Sequence, residues 1–290
     1  MILIWVLFAF GSAFFAGITA ILAKIGIRNT DSNLATAIRT IVILIFSWLM
    51  VFIVGSQSTI YAISGHTLVF LILSGVATGV SWLCYFKALQ LGNVNKVTPI
   101  DKSSTVLTMI LAFIFLGEKV TWIKLIGMIA IGIGTYMMIT KKECQAKEVK
   151  GNRWLFYAAL SAVFASLTSI LGKVGITGIE SNLGTAIRTV VIMIIAWLVV
   201  FVMKKQGELK NIDKKSWLFI CLSGITTGAS WLCYYRALQT GLASVVVPID
   251  KLSIVVAVVF SFFILKEKLT IKSFAGLIII VTGTLVLLIK

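Results

Sequence analysis

Ten charged side chains interrupt the apolar stretches of this chain, and they fall into five pairs: Lys24 with Lys173, Arg39 with Arg188, Lys87 with Arg236, Asp101 with Asp250 and Lys102 with Lys251. The members of every pair are 149 residues apart. Charge inside an apolar span is costly and marks a path or a site for a polar solute. Beside these charges stand aromatic pairs, Trp82 with Tyr85 and Trp231 with Tyr234. At helical spacing they share a face with Ser74, Thr78 and Ser81, or with Ser223, Thr227 and Ser230. Such faces could flank a ligand with apolar walls and with hydroxyl and indole donors, or cage a cation. Gly75, Gly79, Gly224 and Gly228 on the same stretches leave helix packing open as the alternative. Catalysis is poorly served. His66 is the only histidine, and Cys84, Cys144, Cys221 and Cys233 form no CxxC pair. No nucleophile–base set, metal set or P-loop is present, so we expect neither an enzyme nor a cofactor.

The elements that must hold these groups are membrane helices. The 290 residues are 59% hydrophobic and 12% charged, and the mean hydropathy is +1.07, outside the range of a soluble domain. Apolar runs of 18 residues or more recur, each long enough to cross a bilayer. The spacing predicts spans near 3–27, 34–54, 67–91, 97–116, 122–140, 152–176, 183–204, 217–240, 246–265 and 272–289. Strand-like alternation is absent, so a helical bundle satisfies the backbone. Pro99 and Pro248 are placed in the first turns of the fourth and ninth spans. There Asp101 and Asp250 would complement the helix dipole, or else take up protons.

The chain repeats itself without a gap. SNLATAIRT (32–40) returns as SNLGTAIRT (181–189), SGVATGVSWLCYFKALQLG (74–92) as SGITTGASWLCYYRALQTG (223–241), and TPIDK (98–102) as VPIDK (247–251). Residues 1–142 and 152–290 are thus two five-helix repeats joined by a basic linker, 143–151. An odd number of spans inverts the second repeat relative to the first. The fold class expected is all-α integral membrane, ten transmembrane helices as two inverted five-helix repeats around a central cavity. Connections after odd-numbered spans hold fifteen Lys and Arg, and the opposite face three. The positive-inside rule then puts both termini outside a bacterial inner membrane.

In this arrangement the two charged clusters lie toward opposite faces, each closing one side of the cavity. Asp101 pairs with Arg39 or Lys24 when the inside is shut, and Asp250 with Arg188 or Lys173 when the outside is shut. Lys87 and Arg236 lie close enough to the interface to snorkel instead.

These features resemble the drug/metabolite transporter superfamily, more narrowly the EamA-type transporters, over essentially the whole chain. The resemblance is carried by two five-span halves, Gly-rich spans and an LGEK helix end (Gly117, Glu118, Lys119); the second half departs from it as Lys266, Glu267, Lys268. It implies that four helices of each half surround a central cavity, with the fifth and tenth at the periphery. Members generally keep both termini in the cytoplasm, opposite to the orientation the loop charges give. The expected function is alternating-access transport of a small polar metabolite, an amino acid or organic acid being favoured by the basic clusters. The alternatives are a lipid-headgroup flippase and an exporter of cationic drug-like solutes. Partners would be the solute and membrane lipid, not nucleic acid, with a homodimer left open.

Overall fold

The computed structural model describes residues 2–27, 30–91, 97, 100–138, 153–260, 263 and 270–289. Regular structure among them is helical: α1 (Ile2–Gly26), α2 (Ser32–Val54), α3 (Gly65–Leu91), α4 (Ser104–Phe115), α5 (Trp122–Met138), α6 (Arg153–Gly175), α7 (Ser181–Val202), α8 (Lys214–Thr240), α9 (Ala243–Lys251), α10 (Ser253–Phe260) and α11 (Ile271–Val286). Seven segments are long and apolar enough to cross a membrane, namely α1, α2, α3, α6, α7, α8 and α9 with α10. Helices α5 and α11 are apolar but shorter.

Local sequence sets the boundaries. Asp31 caps α2 by accepting from Asn33 N at 2.9 Å and Leu34 N at 3.1 Å. Its repeat mate Glu180 caps α7, accepting from Asn182 N at 2.8 Å and Leu183 N at 3.1 Å. Each carboxylate satisfies N–H groups that a helix start leaves orphaned. Gly55, at φ 75°, closes α2 in the left-handed conformation that glycine adopts without a Cβ clash.

Helices pack across the halves, and equivalent helices run in opposite directions. A Cβ on Gly134 of α5 would lie 2.6 Å from the Gly276 oxygen of α11, and one on Gly276 2.7 Å from the Gly134 oxygen. Gly127 meets Gly283 in the same way, so α5 and α11 are antiparallel. In α1 and α8, Ser12 meets Ser230 at 3.2 Å and Thr19 meets Thr226 at 2.8 Å, again antiparallel. The mates of α1 and α8, α6 and α3, repeat this pairing, with Ser161 meeting Ser81 at 3.3 Å.

The ninth span departs from expectation. It begins at Ala243 rather than 246 and is divided at Leu252 into α9 and α10. Pro248 therefore lies inside α9, not in a first turn. It lacks the N–H that would bond Ser244 O, and the helix breaks shortly afterwards. Leu252 N closes a tight turn on Ile249 O at 2.9 Å. At the equivalent place in the first half, Ser103 N closes on Ile100 O at 3.2 Å. Pro99 itself lies outside the described residues.

Candidate functional site

Two matching turns, over 100–103 and 249–252, follow from the Ile-Asp-Lys triplets. Asp250 accepts a hydrogen bond from Ser12 Oγ of α1 at 2.5 Å. Asp101 accepts one from Ser161 Oγ of α6 at 3.0 Å. Ser12 and Ser161 are repeat mates, so each carboxylate is anchored on the same serine of the opposite half. Ser12 and Ser161 lie near the middle of α1 and of α6, so the two aspartates are central in the bundle. This corrects the expectation that they lie toward opposite faces. The Asp250 triplet sits at the end of α9, next to the interrupted turn, instead of at a helix start.

Next to this group is a cavity of about 290 Å³, bounded by α1, α3, α6, α7, α8 and the end of α9. Its walls include Trp82, Trp231, Tyr234, Arg188, Asp250 and Lys251, all singled out by the repeat. Tyr234 donates to Ser169 Oγ at 2.8 Å. Tyr85 does not line this cavity; it packs with Ala88, Val97 and Ala158. Tyr235, which sequence spacing passed over, takes a wall position instead.

Arg188 is the dominant charge of the cavity and is only 1% exposed. Its Nε donates to Ser74 Oγ at 3.3 Å and its Nη2 to Thr78 Oγ1 at 3.0 Å. The guanidinium carbon lies 4.3 Å from the Tyr235 ring centroid and 5.5 Å from that of Trp231. Two hydroxyls and two π faces orient it, but among the described residues no carboxylate pairs with it. Its mate Arg39 is partly exposed, with Nε buried and without a hydrogen-bond partner.

Lys173 is held elsewhere. It lies 3.9 Å from Glu118 Oε1 and donates to the Gly241 carbonyl. Glu118, from the segment between α4 and α5, also accepts from Ala243 N at 2.6 Å, Ser244 N at 3.1 Å and Ser244 Oγ. It caps α9 from the other half. The expected pairing of Asp250 with Arg188 or Lys173 is therefore replaced by two arrangements, Ser12 on Asp250 and Glu118 on Lys173. Gln239 of α8 tightens this end further by donating to Ile176 O and Ile179 O at 3.1 and 2.5 Å. Arg236 donates to Gln239 Oε1 at 2.9 Å. The LGEK repeat signalled that Glu118 matters, but nothing in its spacing identified the helix it caps. Glu267, its mate, lies outside the described residues.

At the other end Lys24 is exposed near the C-terminus of α1, and Lys87 is exposed on α3. Lys102 and Ser103 are exposed, whereas their mates Lys251 and Leu252 are half-buried and buried. Among the described residues, the Lys173 end is laced by Glu118 and Gln239, and the exposure of Lys102 and Ser103 sets the Lys24 end apart from it.

Comparison with known proteins agrees with this architecture. The EamA-like transporter family matches residues 3–140 and 152–289. The chain belongs to that family. A Sinorhizobium sp. protein described as an uncharacterized transporter in the cobO 3' region is 45% identical over 134 residues, 46% of this chain and 95% of that protein. The match thus takes in nearly all of that protein and just under half of this chain. A Synechocystis protein, also described as an uncharacterized transporter, is 22% identical over 212 residues, 69% of this chain and 59% of its own length. A protein crystal structure superposes with a TM-score of 0.76 at 15% identity, covering 97% of this chain and 95% of that one, which establishes a shared fold. Family and apolar helices together make this a multi-pass membrane protein.

Proposed function

We propose that this EamA-family protein is a secondary transporter for a small carboxylate-bearing metabolite, an amino acid or organic acid, working by alternating access. The proposal includes ten spans in an inverted repeat, with both termini outside a bacterial inner membrane. The observation that carries the substrate class is Arg188, a buried guanidinium on the cavity wall with no carboxylate partner among the described residues. A buried charge left uncompensated is strongly unfavourable. A ligand carboxylate would compensate it. Asp250 on the same wall would receive a ligand ammonium, which favours amino acids among carboxylates. A cavity of about 290 Å³ suits a small solute.

Thermal melting of the purified protein against carboxylates and their methyl esters tests this reading. Carboxylates should raise Tm and the esters should not, because they carry no charge for Arg188. Arg188→Ala should weaken the response about tenfold or more, the scale of a lost charge-assisted hydrogen bond. Equal responses to acid and ester, or an unchanged response in Arg188→Ala, would overturn it.

A lipid-headgroup flippase is the second reading, supported by another crevice of about 370 Å³. Phe8, Phe46, Met50 and Leu232 give it apolar walls, and Arg236 and Glu180 give it charges of both signs. Movement of labelled phospholipid across proteoliposomes, with no Tm response to soluble carboxylates, would favour that reading.

A further inference from the structure

The two repeat-related arginines sit on matching backbone but in different states. A Cβ on Gly75 would lie 3.0 Å from the Arg188 carbonyl oxygen, and one on Gly224 3.2 Å from the Arg39 carbonyl oxygen. Gly79 faces Ile195, and Gly228 faces Phe46, the residue equivalent to Ile195. Helix α7 therefore rests on α3 as α2 rests on α8. Arg188 uses that contact, binding Ser74 and Thr78. Arg39 makes no hydrogen bond or ion pair among the described residues, and its Nε is buried.

The hydroxyls equivalent to Ser74 and Thr78 are Ser223 and Thr227, both buried. Thr78 donates to Ser74 O at 2.9 Å while accepting from Arg188. Thr227 makes the same back-bond, to Ser223 O at 2.6 Å, and Ser223 donates to Ile220 O at 2.7 Å. With both protons engaged, the two oxygens present only lone pairs. Among the described residues no donor reaches either of them. A vacant acceptor pair thus lies beside the helix that carries an unpartnered guanidinium. The end that holds the filled pair is also the closed end, where Lys173 is tied to Glu118.

We propose that Ser223 and Thr227 are positioning residues, forming a dock for the Arg39 guanidinium that fills when the Lys24 end closes. Ser74 and Thr78 are the corresponding dock for Arg188, filled when the Lys173 end is closed. One dock opens as the other fills, so each arginine holds its own end of the bundle shut in turn. Because the helix contacts already match, Arg39 docks mainly by changing rotamer. This inference rests on the transporter reading above and adds the groups that stabilise each access state.

The test uses the full chain with Cys84, Cys144, Cys221 and Cys233 changed to Ser and a single cysteine in place of Ala16, on the cavity wall. A bulky impermeant maleimide is applied from each side of membrane vesicles. Ser223→Ala with Thr227→Val should lower the ratio of labelling from the Lys173 side to labelling from the Lys24 side by about tenfold. Ser74→Ala with Thr78→Val should raise that ratio by a similar factor, and Thr227→Ser, which keeps the hydroxyl, should leave it at the parental value. Shifts in the same direction in both double variants, or none in either, would overturn the docks. Opposite shifts in a protein that shows no carboxylate response would support the docks and overturn only the substrate reading.

Discussion

Glu118 shows how much one side chain can do when its partners lie in another part of the chain. It is 8% exposed, accepts from two backbone N–H groups and a hydroxyl, and faces a lysine. As a carboxylate it matches a helix start, where orphan donors and the dipole favour negative charge. Glutamine offers one acceptor oxygen in place of two and turns an amide donor toward these donors. Glu118→Gln should therefore destabilise the folded protein by about 1.5–3 kcal/mol, the range for hydrogen bonds to a charged group. Denaturant melting in detergent measures this. Lys119→Gln, at the exposed neighbour, should be silent. An unchanged melt for Glu118→Gln would show that the cap on α9 contributes nothing to stability. The same residue marks a limit of sequence reading. Its recurrence in LGEK and LKEK was visible, but its destination was not, since a helix start about 125 residues away is reached only through the tertiary fold.

At the scale of elements, the uninterrupted helices are legible from apolar runs alone: α1, α3 and α6 fall as close to the spans read from sequence as α2 and α7 do. In the fold Asp31 and Gly55 bound α2, and Glu180 starts α7. The ninth span was less legible, because its start is capped by a distant residue and its proline sits mid-helix, where the apolar run continues on both sides. The start read from sequence put Asp250 near a face, whereas it lines the cavity. Small-residue contacts were legible as a type, but not as a pairing. The α5–α11 contact is so close that a single methyl group decides it. Gly134→Ala should cost about 1–3 kcal/mol, since its Cβ would meet backbone at 2.6 Å and the helices would have to separate. Gly132→Ala on the same helix meets only Val106 Cγ2, at 3.7 Å, and should be tolerated. Melting temperatures of the two variants in one detergent check the contrast, and equal values would mean that α5 and α11 tolerate a wider spacing.

For the whole molecule, antiparallel mates and divided charge express one symmetry. If equivalent helices run in opposite directions, equivalent connections must emerge on opposite sides, and each must suit the side it reaches. The connection over 55–66 has no Lys or Arg, while its mate over 204–216 carries Lys204, Lys205, Lys210, Lys214 and Lys215. Both fold as a short 3₁₀ turn, Ser56–Ala62 and Gln206–Asn211, so conformation was kept while charge diverged. The positive-inside rule gives that divergence a cause and a direction. Ser58 and Gly207 are repeat mates, both exposed in these turns. In a background without other cysteines, Ser58→Cys should react with an impermeant maleimide from outside only, and Gly207→Cys from the cytoplasmic side only. Reaction of both from one side would contradict the inverted arrangement. Reaction from the exchanged sides would preserve the inversion and reverse the orientation, placing the termini in the cytoplasm and the Glu118–Lys173 closure on the inner face.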